Sequence, residues 1–363
     1  MRHGLSPAEL ASIIGDYDGV LVRSAVKITG ETLARPGNLS VIARAGVGVD
    51  NVDVEAATAA GILVLNTPDA NTISTAEHTV AMMLALHHRI AEAHEHVRGG
   101  GWNRNAYLGE QLAGRTLGIV GLGRIGRAVA QRARGLEMNV LAHDPFVSGD
   151  TALDGTVLLV KDLQEMLRRC DCVTLHAALS ADTRHILGAM EIAAMKPGAR
   201  LINCARGALI DEAALADALN SGRLAGAAVD VFENEPPVGS PLLSAKNILL
   251  TPHLAASTAE AQLRVSVDAC DAILAYLLRG EIRGPVNVAG MPLHLTPRTR
   301  AYLDLCTRLG TILSAWTAEG ADRISVSLYG DDLRDVAETL AWQSMIAVLG
   351  PRLDVRLTLV NAS

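Results

Sequence analysis

A glycine-rich turn near the middle of the chain has the spacing of a dinucleotide-binding site. Four apolar residues over 117–120 lead into it, and a helix-forming run follows. Its candidate cofactor contacts are Gly121, Gly123, Arg124, Ile125 and Gly126. The first glycine lets the chain reverse, the second lets the backbone approach a pyrophosphate, and the third lets the helix pack on its strand. The positive end of that helix would then face the phosphates, although such turns also open helices for packing reasons alone.

A carboxylate follows the next predicted strand, over 139–143. Asp144 lies within the roughly 20-residue interval at which an acidic residue meets the adenosine ribose. A carboxylate accepts hydrogen bonds from the ribose hydroxyls and repels a 2′-phosphate, so the sequence predicts NAD rather than NADP as the cofactor. The alternative is a turn residue before Pro145.

Three more polar side chains follow later strands, on the side where such a cofactor would lie. They are Arg206, Glu235 and His253. Taken singly, His253 could be a core histidine and Arg206 the partner of a surface ion pair. Their shared position after successive strands instead indicates one reaction centre.

Alternating short apolar strands and helices predict an α/β protein that positions these groups. We expect a doubly wound Rossmann NAD-binding domain over 70–255. It should be inserted in a smaller, flavodoxin-like α/β substrate-binding domain made of 1–69 and 256–284. Residues 285–363 should form a third, partial α/β unit, with helices at about 298–316 and 333–348 and strands at 324–329 and 355–360.

A long helix is predicted from about Ser74 to Val97, and it carries His87, His88, His94 and His96. His87 and His94 lie about two turns apart, which raises the possibility of a metal site. Because no carboxylate accompanies them at ligand spacing, we expect no metal and a solvated or subunit-facing helix instead.

Composition limits the partners and the compartment. The chain has 363 residues, 49% of them hydrophobic, and a net charge of −7, which gives no electrostatic footprint for nucleic acid or an anionic membrane. Its five cysteines make no disulfide framework. The N-terminus lacks a signal segment and no apolar run has membrane-spanning length, so we expect a cytoplasmic location.

Several motifs resemble those of the D-isomer-specific 2-hydroxyacid dehydrogenases. They are Cys204-Ala205-Arg206-Gly207, Val229-Asp230-Val231-Phe232 with Glu235-Pro236-Pro237, and Thr251-Pro252-His253-Leu254 with Ala256-Ser257-Thr258. With Val22-Arg23-Ser24-Ala25, the turn over 44–51 and the glycine-rich turn, the resemblance covers about 16–290.

The resemblance implies hydride transfer between a 2-hydroxy acid and NAD. His253 would accept the hydroxyl proton in oxidation and donate it in reduction, since an imidazole with a pKa of about 6.5 can do both. Glu235 would stabilise the imidazolium, and Arg206 would bind the substrate carboxylate with its planar fork. The further cofactor contacts that the resemblance implies are Ala177, Cys204 and Asp230.

The same resemblance implies a small anionic substrate. The implied contacts are Arg23, Ser24, Arg44 and Asn71, with Arg104 reaching the site of a partner subunit. These groups suit a dianion such as a phosphate, because they can form charge-assisted hydrogen bonds. Val286-Asn287-Val288 and the third unit resemble the intervening domain of the family's longer members.

The chain departs from the family pattern at three places. Residues 1–6 contain no counterpart of the strand with which the family normally begins, so the first strand is missing from the pattern. We expect the third unit to be incomplete, without a following effector-binding domain. Ala208 stands where a second glycine is usual after the catalytic arginine.

Other functions remain open at this point. One is a reductase of another 2-keto acid, such as glyoxylate or hydroxypyruvate. A second, from another class, is a non-catalytic protein that senses NAD(H), and a third is a fragment unable to fold. We also expect a homodimer or homotetramer, with the 74–97 helix and the Trp102 loop as its interface.

Overall fold

The computed structural model describes residues 5–288, 296–317, 323–353 and 356–361. Its strands are β1 (Gly19–Val22), β2 (Val41–Arg44), β3 (Leu63–Leu65), β4 (Thr116–Val120), β5 (Asn139–His143), β6 (Thr151–Ala152), β7 (Val157–Leu159), β8 (Cys172–Leu175), β9 (Arg200–Asn203), β10 (Gly226–Val229) and β11 (Ile248–Leu250). Its α-helices are α1 (Pro7–Ile13), α2 (Val54–Ala59), α3 (Thr72–His87), α4 (Ile90–Arg98), α5 (Arg124–Gly135), α6 (Leu163–Arg169), α7 (Ala189–Ala194), α8 (Glu212–Asn220), α9 (Ala259–Arg279), α10 (Pro297–Trp316) and α11 (Ala337–Leu349).

The chain divides into two compact units. The first unit comprises Met1–Ala70 and Leu263–Ser363, and the second unit comprises Asn71–Gln262. The chain therefore crosses between the units twice. The domain boundaries expected from the sequence, including a separate unit over 285–363, stay a prediction.

The first unit contains a three-stranded parallel sheet in the order β1-β2-β3. Its α2 begins where the Asp53 carboxylate caps the Ala56 N–H, and the chain turns at Gly61 with a φ of +69°. Arg23 and Ser24 follow β1, and Arg44 ends β2, so all three lie at the carboxyl ends of neighbouring parallel strands.

The second unit contains an eight-stranded sheet in the order β11-β10-β9-β8-β4-β5-β7-β6, parallel except for β6. Strand order reverses between β4 and β8, and this switch point is where open α/β sheets bind ligands. Apolar clusters cover the sheet on two sides; Ile119 and Val129 are fully buried in one, and Leu175 and Leu201 in the other. The predicted Rossmann-type α/β fold is confirmed.

The predicted helix over 74–97 is broken in the structure. α3 ends at His87 and α4 begins at Ile90, because Arg89 adopts a left-handed conformation with a φ of 54°. The Arg89 guanidinium donates to the Ala106 carbonyl at 2.7 Å and pairs with Glu92, which holds the break in place. The expectation that His87, His88, His94 and His96 lie on one continuous helix was therefore wrong.

The strand predicted over 324–329 is also wrong. These residues are irregular and mostly exposed, since no described segment pairs with their backbone. Val355 lies outside the described residues, and 356–360 contain no strand. α10 and α11 do form and pack together: Gln343 Nε2 donates to Thr307 Oγ1 at 2.9 Å, and Gly310 faces Ala347 without a side chain between them.

Among the described residues, none of the helices combines the length and the apolar character needed to cross a bilayer.

Candidate active site

The parallel register of the second unit brings the candidate groups to one edge. Val120 pairs with both His143 and Leu175, Leu175 pairs with Asn203, and the pairing continues through Val229 to Leu250. The residues that follow these strand ends are therefore in one row. They are Gly121, Asp144, His176, Cys204, Asp230 and Thr251.

The glycine-rich turn has the geometry expected of a phosphate cradle. Gly121 has a φ of +91°, and a Cβ there would lie 2.6 Å from the Ala177 nitrogen. A Cβ on Gly126 would lie 2.2 Å from the Gly121 oxygen, whereas nothing lies within 4 Å of a Cβ built on Gly123. Gly121 and Gly126 therefore permit close backbone packing, and Gly123 opens space in front of the helix N-terminus.

The groups around this turn fit an adenine dinucleotide. Arg124 begins α5, and its side chain is exposed beside the half-buried Ile125. Asp144 accepts hydrogen bonds from the Leu122 N–H at 2.7 Å and the Phe146 N–H at 2.9 Å, which orients its carboxylate beside the turn. The buried Nδ1 atom of His176 has no hydrogen-bond partner among the described residues. Ribose hydroxyls and phosphates can satisfy such groups.

Arg206 lies in a turn that the buried Asn203 shapes. Asn203 Nδ2 donates to the Arg206 carbonyl at 2.9 Å, and Asn203 Oδ1 accepts from the Ala205 N–H at 3.0 Å. Arg206 itself is half-buried and donates from Nη1 to the Ala205 carbonyl at 2.7 Å. The side-chain amide of Asn203 thus fixes the backbone that presents the guanidinium.

The loop carrying Arg206 touches the loop carrying Glu235 through Gly207. A Cβ on Gly207 would lie 1.9 Å from the Phe232 carbonyl carbon and 2.4 Å from the Glu233 nitrogen. The two backbones therefore pack directly on each other. Ala208 lies in a short 3-10 helix over Gly207–Leu209 without a positive φ, so replacing the family's usual glycine introduces no backbone strain.

His253 and Glu235 form the central pair of the site. His253 Nδ1 lies 2.7 Å from Glu235 Oε2, and both side chains are nearly half exposed. The hydrogen bond to Glu235 raises the pKa of His253 above 6.5, assisted by the charge of Asp230 and opposed by burial and by Arg206. Burial acts to raise the pKa of Glu235, but the hydrogen bond and charge of His253 hold that pKa below its ordinary value. Arg206 is therefore close enough to interact electrostatically with the imidazole.

Asp230 holds the turn on which His253 lies. The carboxylate is fully buried and accepts from the Leu254 N–H at 2.7 Å, the Ala255 N–H at 2.9 Å and the Thr251 hydroxyl at 2.5 Å. Its backbone carbonyl accepts from the His253 N–H at 2.8 Å. His253 has a φ of 55°, an unfavourable conformation for a non-glycine residue, and these bonds stabilise it there.

The substrate-binding residues implied by the resemblance divide between the units. Arg23, Ser24 and Arg44 belong to the first unit, where Asn51 Nδ2 fixes the turn by donating to the Arg23 carbonyl at 3.0 Å. Asn71 and Arg104 belong to the second unit: Asn71 precedes α3, and the exposed Arg104 begins a 3-10 helix over Arg104–Tyr107. Their substrate contacts stay predictions.

Sequence reasoning did not single out two residues of the site, Asn203 and His78. Asn203 could have been found, because it ends a strand directly before the Cys204 motif. His78 lies on α3, and its Nε2 is 3.3 Å from Asp230 Oδ1, a proximity that no sequence pattern signals.

The histidines of the predicted helix do not form the metal site considered above. His87 is fully buried, its Nδ1 donates to the Met83 carbonyl at 2.9 Å, and burial lowers its pKa to about 4. A different group, His78, Cys204 and Asp230, has potential ligand atoms within 4.8 Å of one another. Burial raises the pKa of Cys204 to about 12 and the Asp230 oxygens already accept several hydrogen bonds, so we interpret this group as a hydrogen-bond network.

Replacing Asp144 should weaken the response to NAD and relax the discrimination against NADP. A ligand that binds only the native state raises the thermal midpoint of unfolding. At a ligand concentration 100 times Kd, the native state is stabilised by about 2.7 kcal/mol. In Asp144→Asn we expect a smaller midpoint increase with NAD and a higher ratio of the NADP to the NAD increase, because the repulsive charge is gone. Thermal melts with each nucleotide measure both. Asp150→Asn, an exposed carboxylate in the same segment, is the control, and equal responses in both variants would contradict the assignment.

Adding a methyl group at Gly207 should force the two loops apart. We expect Gly207→Ala to lower the free energy of unfolding by about 1–3 kcal/mol, the usual cost of overpacking. Ala208→Gly, its neighbour, should cost only about 0.5–1 kcal/mol through backbone entropy. Denaturant titration of both variants is the measurement. A Gly207→Ala protein as stable as wild type would show that the contact is not rigid.

Comparisons with known proteins agree with this geometry. The family model for the NAD binding domain of D-isomer specific 2-hydroxyacid dehydrogenases matches residues 80–255. The D-3-phosphoglycerate dehydrogenase of Synechocystis sp. is 41% identical over 364 residues, covering 100% of this chain and 66% of the relative. That of Methanocaldococcus jannaschii is 41% identical over 360 residues, covering 99% and 68%.

A solved structure shows the same likeness. The glyoxylate reductase from Paecilomyes thermophila is 34% identical with a TM-score of 0.72, covering 77% of this chain and 88% of that one. The chain spans about two thirds of the length of the two curated relatives. From the cofactor turn, the His253–Glu235 pair and these matches together, it follows that the chain belongs to the D-isomer-specific 2-hydroxyacid dehydrogenase family, whose dinucleotide domain binds NAD.

Proposed function

We propose that this chain catalyses the NAD-dependent oxidation of 3-phospho-D-glycerate to 3-phosphohydroxypyruvate, the first step of L-serine biosynthesis. The observation that carries the proposal is the His253–Glu235 pair, 2.7 Å apart, which lies near Arg206 in the NAD-binding unit. The names of the two curated relatives support the choice of substrate.

His253 acts as the base for the substrate hydroxyl. Since Nδ1 is hydrogen-bonded to Glu235, the Nε2 atom is the one that takes the proton from the hydroxyl on C2 of the substrate. The Glu235 carboxylate stabilises the imidazolium that results and keeps the ring oriented. Bound NAD supplies the acceptor for the hydride that leaves C2. In the reverse direction His253 donates the same proton to the carbonyl oxygen.

Arg206 binds the carboxylate of the substrate. Its guanidinium offers a planar fork for two parallel hydrogen bonds, and its fixed positive charge also polarises the neighbouring carbonyl of the keto acid. The turn shaped by Asn203 limits how far this group can move. Cys204 and Ala177 would contribute backbone groups to the cofactor, and Asp230 would contact its nicotinamide end.

Charged and polar residues outside the reaction centre would bind the phosphate of the substrate. Arg23, Ser24, Arg44 and Asn71 are the groups that we assign to the substrate, with Arg104 contributed to the site of a partner subunit. Three of them lie at carboxyl ends of parallel strands, where α/β proteins bind ligands.

A reductase of glyoxylate or hydroxypyruvate is the second candidate. The structural likeness to a glyoxylate reductase favours it, because the same base, carboxylate and arginine would serve either substrate. A non-catalytic sensor of NAD(H) would bind the cofactor without steady-state turnover. We further propose a homodimer or homotetramer in the cytoplasm, with exposed Trp102 and the apolar residues of α4 at the subunit interface.

A substrate panel distinguishes these candidates. We expect NADH formation with 3-phospho-D-glycerate to exceed that with glycolate, D-glycerate and D-lactate, and His253→Ala to lower kcat by about 10³-fold, the scale of general base catalysis. Arg206→Lys should also be impaired, since an ammonium cannot make the bidentate contact. Undiminished turnover in His253→Ala would contradict the mechanism.

A pair of matched variants tests the assignment of Arg23 to the substrate phosphate. Arg23→Ala should raise KM for phosphorylated substrates alone, whereas Lys27→Ala, an exposed cation nearby in the chain, should not. Equal effects of both variants on all substrates would show that Arg23 does not recognise phosphate.

Glu235 should set the pH dependence of oxidation. Because Glu235 raises the pKa of His253, and the base must be unprotonated, kcat/KM in wild type should fall as pH drops through a value above 6.5. In Glu235→Gln that acidic limb should move to lower pH, and kcat should fall by about 10²-fold or more as the imidazolium loses its partner. Profiles of initial rate against pH measure both effects.

Glu233 provides the control for this experiment. It lies in the same loop but pairs with Arg184 and His185. Glu233→Gln should therefore leave the acidic limb in place, and a limb unmoved in Glu235→Gln would exclude Glu235 as the partner of the base.

A further inference from the structure

The Asp230 carboxylate is enclosed by donors from three directions. Leu254 and Ala255 donate from the turn that carries His253, and the Thr251 hydroxyl donates from the end of β11. The remaining direction is occupied by α3, whose His78 presents Nε2 at 3.3 Å from Asp230 Oδ1 and 3.4 Å from Thr251 Oγ1.

His78 is held firmly in that position. α3 packs against β9, β10 and β11, the strands that end in the catalytic loops. The His78 side chain is only 19% exposed, while the carboxylate it faces is fully buried. A buried carboxylate needs donors on every accessible lone pair, since an unsatisfied charge is costly to desolvate. Burial acts to raise the pKa of Asp230, but His78, Thr251 and the two backbone N–H groups hold it below 3.8.

We propose that His78 is a positioning residue for the catalytic base. It closes the donor shell of Asp230 and Thr251, and through them it fixes the turn that keeps His253 in its left-handed conformation, facing Glu235. The role rests on the proposed function of His253 as the base. His78 acts on the base through the backbone of 253–255.

The charges around His253 determine the direction in which its pKa should change. Those that act on the His253 pKa are Glu235, Asp230 and Arg206, from the three loops packed around it, and the largest contribution is the hydrogen bond to Glu235. Cys204, the other titratable neighbour of His78, carries a protonated thiol because burial raises its pKa to about 12. If the turn loosens, the His253–Glu235 bond weakens and the His253 pKa falls towards 6.5.

The test measures His253 directly and then its catalysis. NMR titration of the ring protons in wild type, His78→Leu and His78→Gln reports the His253 pKa without substrate; His253→Ala identifies the resonance. In His78→Leu we expect that pKa to fall by about half a unit, on the scale of shifts caused by one hydrogen bond. The acidic limb of kcat/KM should move down equally, with kcat about tenfold lower as expected for a misplaced base, and KM little changed.

The Gln variant and a neighbouring histidine separate positioning from mere folding. His78→Gln keeps a donor towards Asp230 and should recover most of the pKa and of kcat. His88→Gln, an exposed histidine near the end of α3, should match wild type. Wild-type values in His78→Leu would overturn the proposal.

Two further outcomes would also overturn it. A lower thermal midpoint with an unchanged His253 pKa would show that His78 only stabilises the fold. A raised His253 pKa in His78→Leu would show that His78 acts as a positive charge on the base rather than through the turn. If wild type does not oxidise phosphoglycerate, the proposed substrate fails, but the titration still decides the role of His78.

Discussion

In-register pairing of six parallel strands is the constraint on which the site depends. β5, β4, β8, β9, β10 and β11 end level with one another, so the residues after them form a row along one edge of the sheet. The cofactor turn, the arginine loop and the base turn are thereby ordered across the edge. A slip by one residue in any strand would turn its terminal side chain to the other face and break the row.

Two carboxylates at this edge of the sheet, Glu235 and Asp230, have different roles because their surroundings differ. Glu235 is nearly half exposed and pairs with an imidazole, so its charge acts on a proton. Asp230 is fully buried and accepts hydrogen bonds from the turn that carries His253, so its charge holds that turn in shape as well as helping to raise the pKa of His253. Glu235 can change its hydrogen-bond partner during a reaction, whereas Asp230 must keep the same hydrogen bonds.

Local patterns allowed the sequence to predict most of the second unit. Glycine spacing predicted a cofactor turn, apolar runs predicted β4 and the bounds of β5, and strand-end polar residues pointed to the His253–Glu235 pair. The misses have long-range causes. Arg89 breaks the predicted helix by reaching the Ala106 carbonyl, the segment 324–329 has strand-like alternation but no pairing partner among the described residues, and His78 meets Asp230 only in the folded sheet.

Gly207 has a consequence for how such a site can diversify. Where two backbones touch, main-chain atoms set the spacing between the turn that presents Arg206 and the loop that presents Glu235. Substitutions at Arg206 or Glu235 change the side chains that these two loops present but leave this backbone spacing in place.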